Sequence, residues 1–91
     1  MKFNVKNTRG SILTLVRKAG YFSLNDSYIR PLEKSGYPRF HLYIKEENDV
    51  LVFNLHLDQK KPVYKGASAH SAEYDSPIVE QEAERIKQSL L

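Results

Sequence analysis

Hydrophobic and polar residues alternate through the middle of the chain. Phe40-His41-Leu42-Tyr43-Ile44-Lys45 follows a two-residue period, and so does Leu51-Val52-Phe53-Asn54-Leu55-His56-Leu57-Asp58. Side chains alternate across a β-strand, which predicts a hairpin over 39–46 and 50–58. One face would carry Phe40, Leu42, Ile44, Leu51, Phe53, Leu55 and Leu57. The opposite face would collect His41, Tyr43, Lys45, Val52, Asn54, His56 and Asp58. The connection Glu47-Asn48-Asp49 allows two registers. With Asn48-Asp49 as the loop, His41 lies across from His56; with Glu47-Asn48, it faces Asn54. In either register both imidazoles can serve one ligand.

Helical spacing brackets this hairpin. Ile12, Leu15, Val16 and Ala19 follow the i, i+3, i+4, i+7 rule, with Leu13 widening the stripe. Thr8 or Ser11 suits the start, while Arg17, Lys18 and Gly20 suit the end. A second helix follows Ser76 as N-cap and Pro77 at the first position, with Val79, Ala83, Ile86 and Leu90 inward and Glu80, Glu84, Arg85 and Lys87 outward. Between the first helix and the hairpin, Tyr21-Phe22 and Tyr28-Ile29-Arg30 have strand character. Asn25-Asp26-Ser27 interrupts them, and Pro31 demands an edge position or a strand end. Lys34-Ser35-Gly36-Tyr37-Pro38 reads as a turn. The stretch from Gln59 to Ser76 shows no clear period beyond a short extended piece at Val63-Tyr64-Lys65, and connections this long are usually functional or disordered. The expected fold is α+β: one small domain over 1–91, in the order α-β-β-β-α, with an antiparallel sheet carrying both helices on one face.

Composition narrows the chemistry. With 41% hydrophobic and 27% charged residues the chain belongs among globular proteins, and the lack of cysteine removes disulfides and thiolate–zinc sites. Nothing resembles a signal peptide or a membrane span, so the expected location is cytoplasmic, with no membrane partner. The net charge of +3 mildly favours nucleic acid as a partner.

Three chemistries compete for the polar hairpin face. Paired histidines suit acid–base cleavage of an RNA phosphodiester: His41 and His56 would exchange protons while Lys45, Lys60 or Lys61 steadies the developing charge. Tyr43 among Arg39, Lys45, Lys60, Lys61 and Lys65 suits base stacking and phosphate contact without any reaction. His56, Asp58, His70 and Glu73 offer nitrogen and oxygen ligands for zinc or manganese in a metal-dependent hydrolase. The plainer readings are that these are solvent-facing strand residues, that a carboxylate pins the long segment to the sheet through a histidine, and that Tyr21, Tyr28, Tyr37, Tyr64 and Tyr74 are half-buried rim residues. The serines lack a nucleophile context. A protein partner or a second copy of the chain is a further candidate for the exposed face.

The element order resembles the double-stranded-RNA-binding-like fold, shared by RNA-binding modules and the small HicA-type toxin ribonucleases that carry a histidine on the sheet. Arg39-Phe40-His41 echoes that histidine, although the toxins' Gly-Ser-His-His type of motif is missing. The resemblance is one of fold, a poor guide to function. The leading expectation rests on the exposed sheet face and the lysines after it: a small nucleic-acid-binding domain, RNA favoured, whose extension is cleavage by His41 and His56.

Overall fold

A computed structural model describes residues 1–6, 10–59 and 72–90, with Ala72 and Glu73 described by backbone alone. In chain order these form β1 (Lys2–Lys6), α1 (Ile12–Lys18), β2 (Phe22–Leu24), β3 (Ser27–Pro31), β4 (Arg39–Glu47), β5 (Val50–Asp58), β6 (Ala72–Glu73) and α2 (Pro77–Ser89). The architecture is the expected mixed α+β one, with one antiparallel sheet and two helices. The sheet order is β1-β5-β4-β3-β2, and β6 pairs with the far end of β5.

The hairpin forms as its alternation predicts. Asn48 and Asp49 make the loop, Asn48 takes a left-handed φ of 57°, and His41 is placed directly across from His56. The same device recurs at Asn25-Asp26, where Asn25 has φ 53° and Leu24 pairs with Ser27. What reads as an interruption is thus a second two-residue turn, and asparagine serves both turns because it tolerates that conformation. β3 stops at Pro31, which lacks the N–H needed to continue the ladder.

Two segments differ from expectation. Residues 2–6 form a strand against β5, with Phe3 opposite Phe53 and Val5 opposite Leu51. With this strand, the division of 22–31 into β2 and β3, and β6, the order is β-α-β-β-β-β-β-α rather than α-β-β-β-α; β1 also covers the otherwise open edge of β5 over 50–54. Leu13, expected inside, is exposed; the seven-residue α1 turns only Leu15 and Val16 fully inward, and Ala19 follows them at its C-cap.

One face of the sheet holds the core. Phe40, Leu42, Leu51, Phe53, Leu55 and Leu57 pack with Leu15, Val16 and Ala19 from α1 and with Val79, Ala83 and Ile86 from α2. Both helices therefore cover the same side. Gly20 ends α1 with φ +93° and donates to the Arg17 carbonyl. Ser76 occupies the N-cap of α2, although its hydroxyl makes no capping bond.

A polar knot lies inside this interface. Glu82 is buried and accepts from the Tyr21 hydroxyl at 2.5 Å, from Arg85 through Nε and Nη2, and from Arg30 at 3.4 Å. Arg85 also donates to the Ala19 carbonyl. Arg85 therefore does not simply face water, and Tyr21 is buried rather than a rim residue: each has a partner that only the folded chain brings near. No helix among the described residues is long and apolar enough to cross a membrane.

Candidate functional site

The uncovered face of the sheet is ordered in rows. His41 stands opposite His56 and Ile29, Tyr43 opposite Asn54 and then Lys2, and Arg39 opposite Asp58. Strand parity places all of these on the side away from the helices.

Asp58 is the hub. Its Oδ1 lies 2.8 Å from His56 Nε2, and its Oδ2 accepts from Arg39 Nε at 3.2 Å and faces His41 Nδ1 at 3.1 Å. Burial works to raise the Asp58 pKa, but the hydrogen bond and charge of His56, the hydrogen bond from Arg39 and the charge of His41 outweigh it and hold the carboxyl down at about 2. His41 moves below the ordinary imidazole value because burial disfavours its cation, with Asp58 pulling the other way. Behind it, His41 Nε2 meets Ser27 Oγ at 2.7 Å, and Ser27 also donates to the Leu24 carbonyl at 2.9 Å. Both nitrogens of His41 are thereby engaged.

Aromatic rings continue the site away from Arg39. Tyr43 stacks on His41 with centroids 4.6 Å apart, His41 and His56 are 4.9 Å apart, and Tyr74 lies 5.1 Å from His56. Tyr43, Asn54, Leu55, His56 and Tyr74 line an open cleft of about 250 Å³. Its two tyrosines are among the most exposed large side chains described, at 45% for Tyr43 and 54% for Tyr74. Arg39 extends the aromatic theme, with its guanidinium 4.5 Å over the Tyr37 ring.

The sequence-derived candidates divide accordingly. His41, His56, Asp58, Arg39 and Tyr43 come together. Lys45 does not: it lies four residues along the strand from His41, about 13 Å, and pairs with Glu47 at 3.5 Å. It is too distant to steady charge at the histidines. Lys60, Lys61, Lys65, His70 and the side chain of Glu73 lie outside the described residues, as does the extended piece at 63–65. At the backbone, Glu73 pairs with Leu57.

Four contributors escaped the sequence reading. Ser27 joins through the pairing of β3 with β4, and Lys2 through β1. Asn54 stands on the predicted polar face without an assigned role, and Tyr74, expected on the long connection as a half-buried rim residue, is 54% exposed beside His56. The alternation of Lys2-Phe3-Asn4-Val5-Lys6 was the available signal for Lys2. Ser27 and Tyr74 had no local signal, because their neighbours are distant in the chain. No family model matches the chain, and neither does any curated protein or solved structure.

Proposed function

We propose that this protein binds single-stranded RNA on the open face of its sheet, seating one unpaired base between Tyr43 and Tyr74. The observation that carries this reading is the cleft itself. Two exposed phenol rings flank a floor of Asn54, Leu55 and His56, and the volume of about 250 Å³ lies below the ~300–1,000 Å³ usual for drug-sized ligands. That space suits one flat heterocycle. Aromatic walls stack on any base, and an amide with both a donor and an acceptor can read a base edge.

Charge supports the same assignment. Lys2 stands in the row of Tyr43 and Asn54, so a cation borders the cleft where a sugar-phosphate backbone would leave it. The net charge of +3 agrees in sign.

Binding is a more direct reading of this geometry than two-histidine cleavage. An acid–base pair needs both imidazoles open to the substrate, whereas Ser27 and Asp58 occupy the two nitrogens of His41. His56 is the histidine that borders the cleft.

Titration of a fluorescently labelled single-stranded RNA at several salt concentrations tests the proposal. Affinity should fall as salt rises, with a log–log slope of about −0.7 per phosphate contacted. It should be weaker for the same sequence presented as a duplex. Equal affinity for duplex and single strand, or no binding at low salt, would contradict it.

A further inference from the structure

The hydrogen bonds behind His41 dictate where its ring proton sits. The Leu24 carbonyl can only accept, so the Ser27 hydroxyl spends its single proton there. Ser27 Oγ must then accept from His41 Nε2, 2.7 Å away, and Nε2 carries the proton. The lone pair of a neutral ring is left on Nδ1, pointing at Asp58 Oδ2 at 3.1 Å. A lone pair and a carboxylate oxygen repel at that distance unless a cation lies between them. Across the same carboxylate, His56 Nε2 sits 2.8 Å from Oδ1. One ligand atom from each of His41, His56 and Asp58 falls within 4.8 Å of the other two.

We infer that His41, His56 and Asp58 form a three-ligand site for a divalent transition ion of the zinc class, with Ser27 orienting His41 from behind. Two imidazoles and one carboxylate are a donor set that zinc accepts, and three protein ligands leave a fourth position for solvent. A tetrahedral ion with bonds of about 2.1 Å holds its ligand atoms about 3.4 Å apart, which lies within the spread of this cluster. A ligating histidine ordinarily donates its other N–H to a neighbour, and Ser27 is that neighbour.

Arg39 has two effects on the site. Its Nε holds Oδ2 in place, and its charge works against a second cation, which caps the affinity. The ligand set differs from the one the sequence suggested, since His41 takes the place of His70 and Glu73. The site shares His56 with the cleft, but its argument uses no contact to RNA.

The competing occupant is a proton on His41 Nδ1, and calorimetric titration of the full chain with zinc separates the two. The expected result is saturable binding of one ion per chain, at least about 100-fold weaker in His56→Gln and Asp58→Asn. Ser27→Ala, which removes the orienting acceptor but no ligand, should bind about 10–100-fold more weakly than the parent. Circular dichroism checks that each variant folds; if Asp58→Asn does not, His56→Gln decides alone. Absence of saturable binding, or unchanged affinity in His56→Gln, would overturn the inference. Repeating the RNA titration in a metal chelator keeps the two proposals distinguishable, since loss of zinc binding leaves base stacking in place.

Discussion

Two carboxylates anchor polar clusters in this protein, and their surroundings differ. Glu82 sits among Tyr21, Arg30 and Arg85 beneath α2, with a side chain 3% exposed and its oxygens fully engaged. Asp58 sits among His41, His56 and Arg39 on the opposite face, 19% exposed, beside a cleft with aromatic walls. The first cluster joins a buried carboxylate and a buried phenol to two permanent cations, Arg30 and Arg85, whose side chains are partly exposed. The second is built from imidazoles, whose charge is variable, and it adjoins open rings. Both are hydrogen-bonded carboxylates; what distinguishes the candidate site is access and the choice of a titratable partner.

Substitutions in each region should expose that difference most strongly. Glu82→Ala leaves the buried Tyr21 hydroxyl without its acceptor and frees the partly exposed Arg30 and Arg85, a change that costs about 1–3 kcal/mol. Chemical unfolding should therefore show a large loss of stability with no separate effect on RNA affinity per folded molecule. A loss below about 1 kcal/mol would mean that the knot contributes little to holding α2 on the sheet.

The cleft should behave in the opposite way. Tyr43→Ala removes a half-exposed ring whose neighbours are themselves partly exposed, so unfolding should change little. RNA binding should weaken by about 1–3 kcal/mol, the usual worth of one base–aromatic stack. A variant that loses stability but keeps affinity would assign Tyr43 to the fold instead.

Alkaline pH probes the inner cluster without mutation. Burial, reinforced by the Glu82 charge and hydrogen bond, raises the Tyr21 pKa above its ordinary value. The folded state thus holds the Tyr21 proton more tightly than the unfolded state does. Its contribution to stability is complete below about pH 10 and declines as pH rises beyond that. Unfolding measured from about pH 8 to about pH 11 should show this decline, and Tyr21→Phe should flatten it. The smallest effect belongs to Lys45→Ala, since Lys45 is exposed, lies about 13 Å along β4 from His41 and is already paired with Glu47. Stability should stay within about 0.5 kcal/mol and RNA affinity should barely move; a large loss of affinity would extend the interface along β4.

How much of this was legible beforehand depends on the range of the interactions. Alternation over 40–45 and 51–58 put both histidines on one face and separated them from the core, because parity is a local property of a strand. The register was open between two loops and was settled by Asn48, whose left-handed φ closes the turn. Ser27 and Tyr74 were not legible as site residues, since the first needs β3 beside β4 and the second needs the chain to return to β5. Arg85 was read as solvent-facing from helical periodicity alone. Its side chain instead pairs with Glu82 at the i,i+3 spacing that α2 itself offers, and reaches the Ala19 carbonyl, which no pattern within α2 encodes. β1 was missed for a different reason: its five residues alternate correctly, but they were weighed only as a possible leader segment.

Chemical-shift mapping with a short single-stranded RNA tests the central claim most directly, because it reads both clusters in one experiment. Resonances of Tyr43, Asn54, His56 and Tyr74 should move together and saturate, while those of Tyr21, Glu82 and Arg85 stay in place. Shifts centred on the helical face, or none in the cleft at saturating RNA, would contradict the assignment of this face as the binding surface.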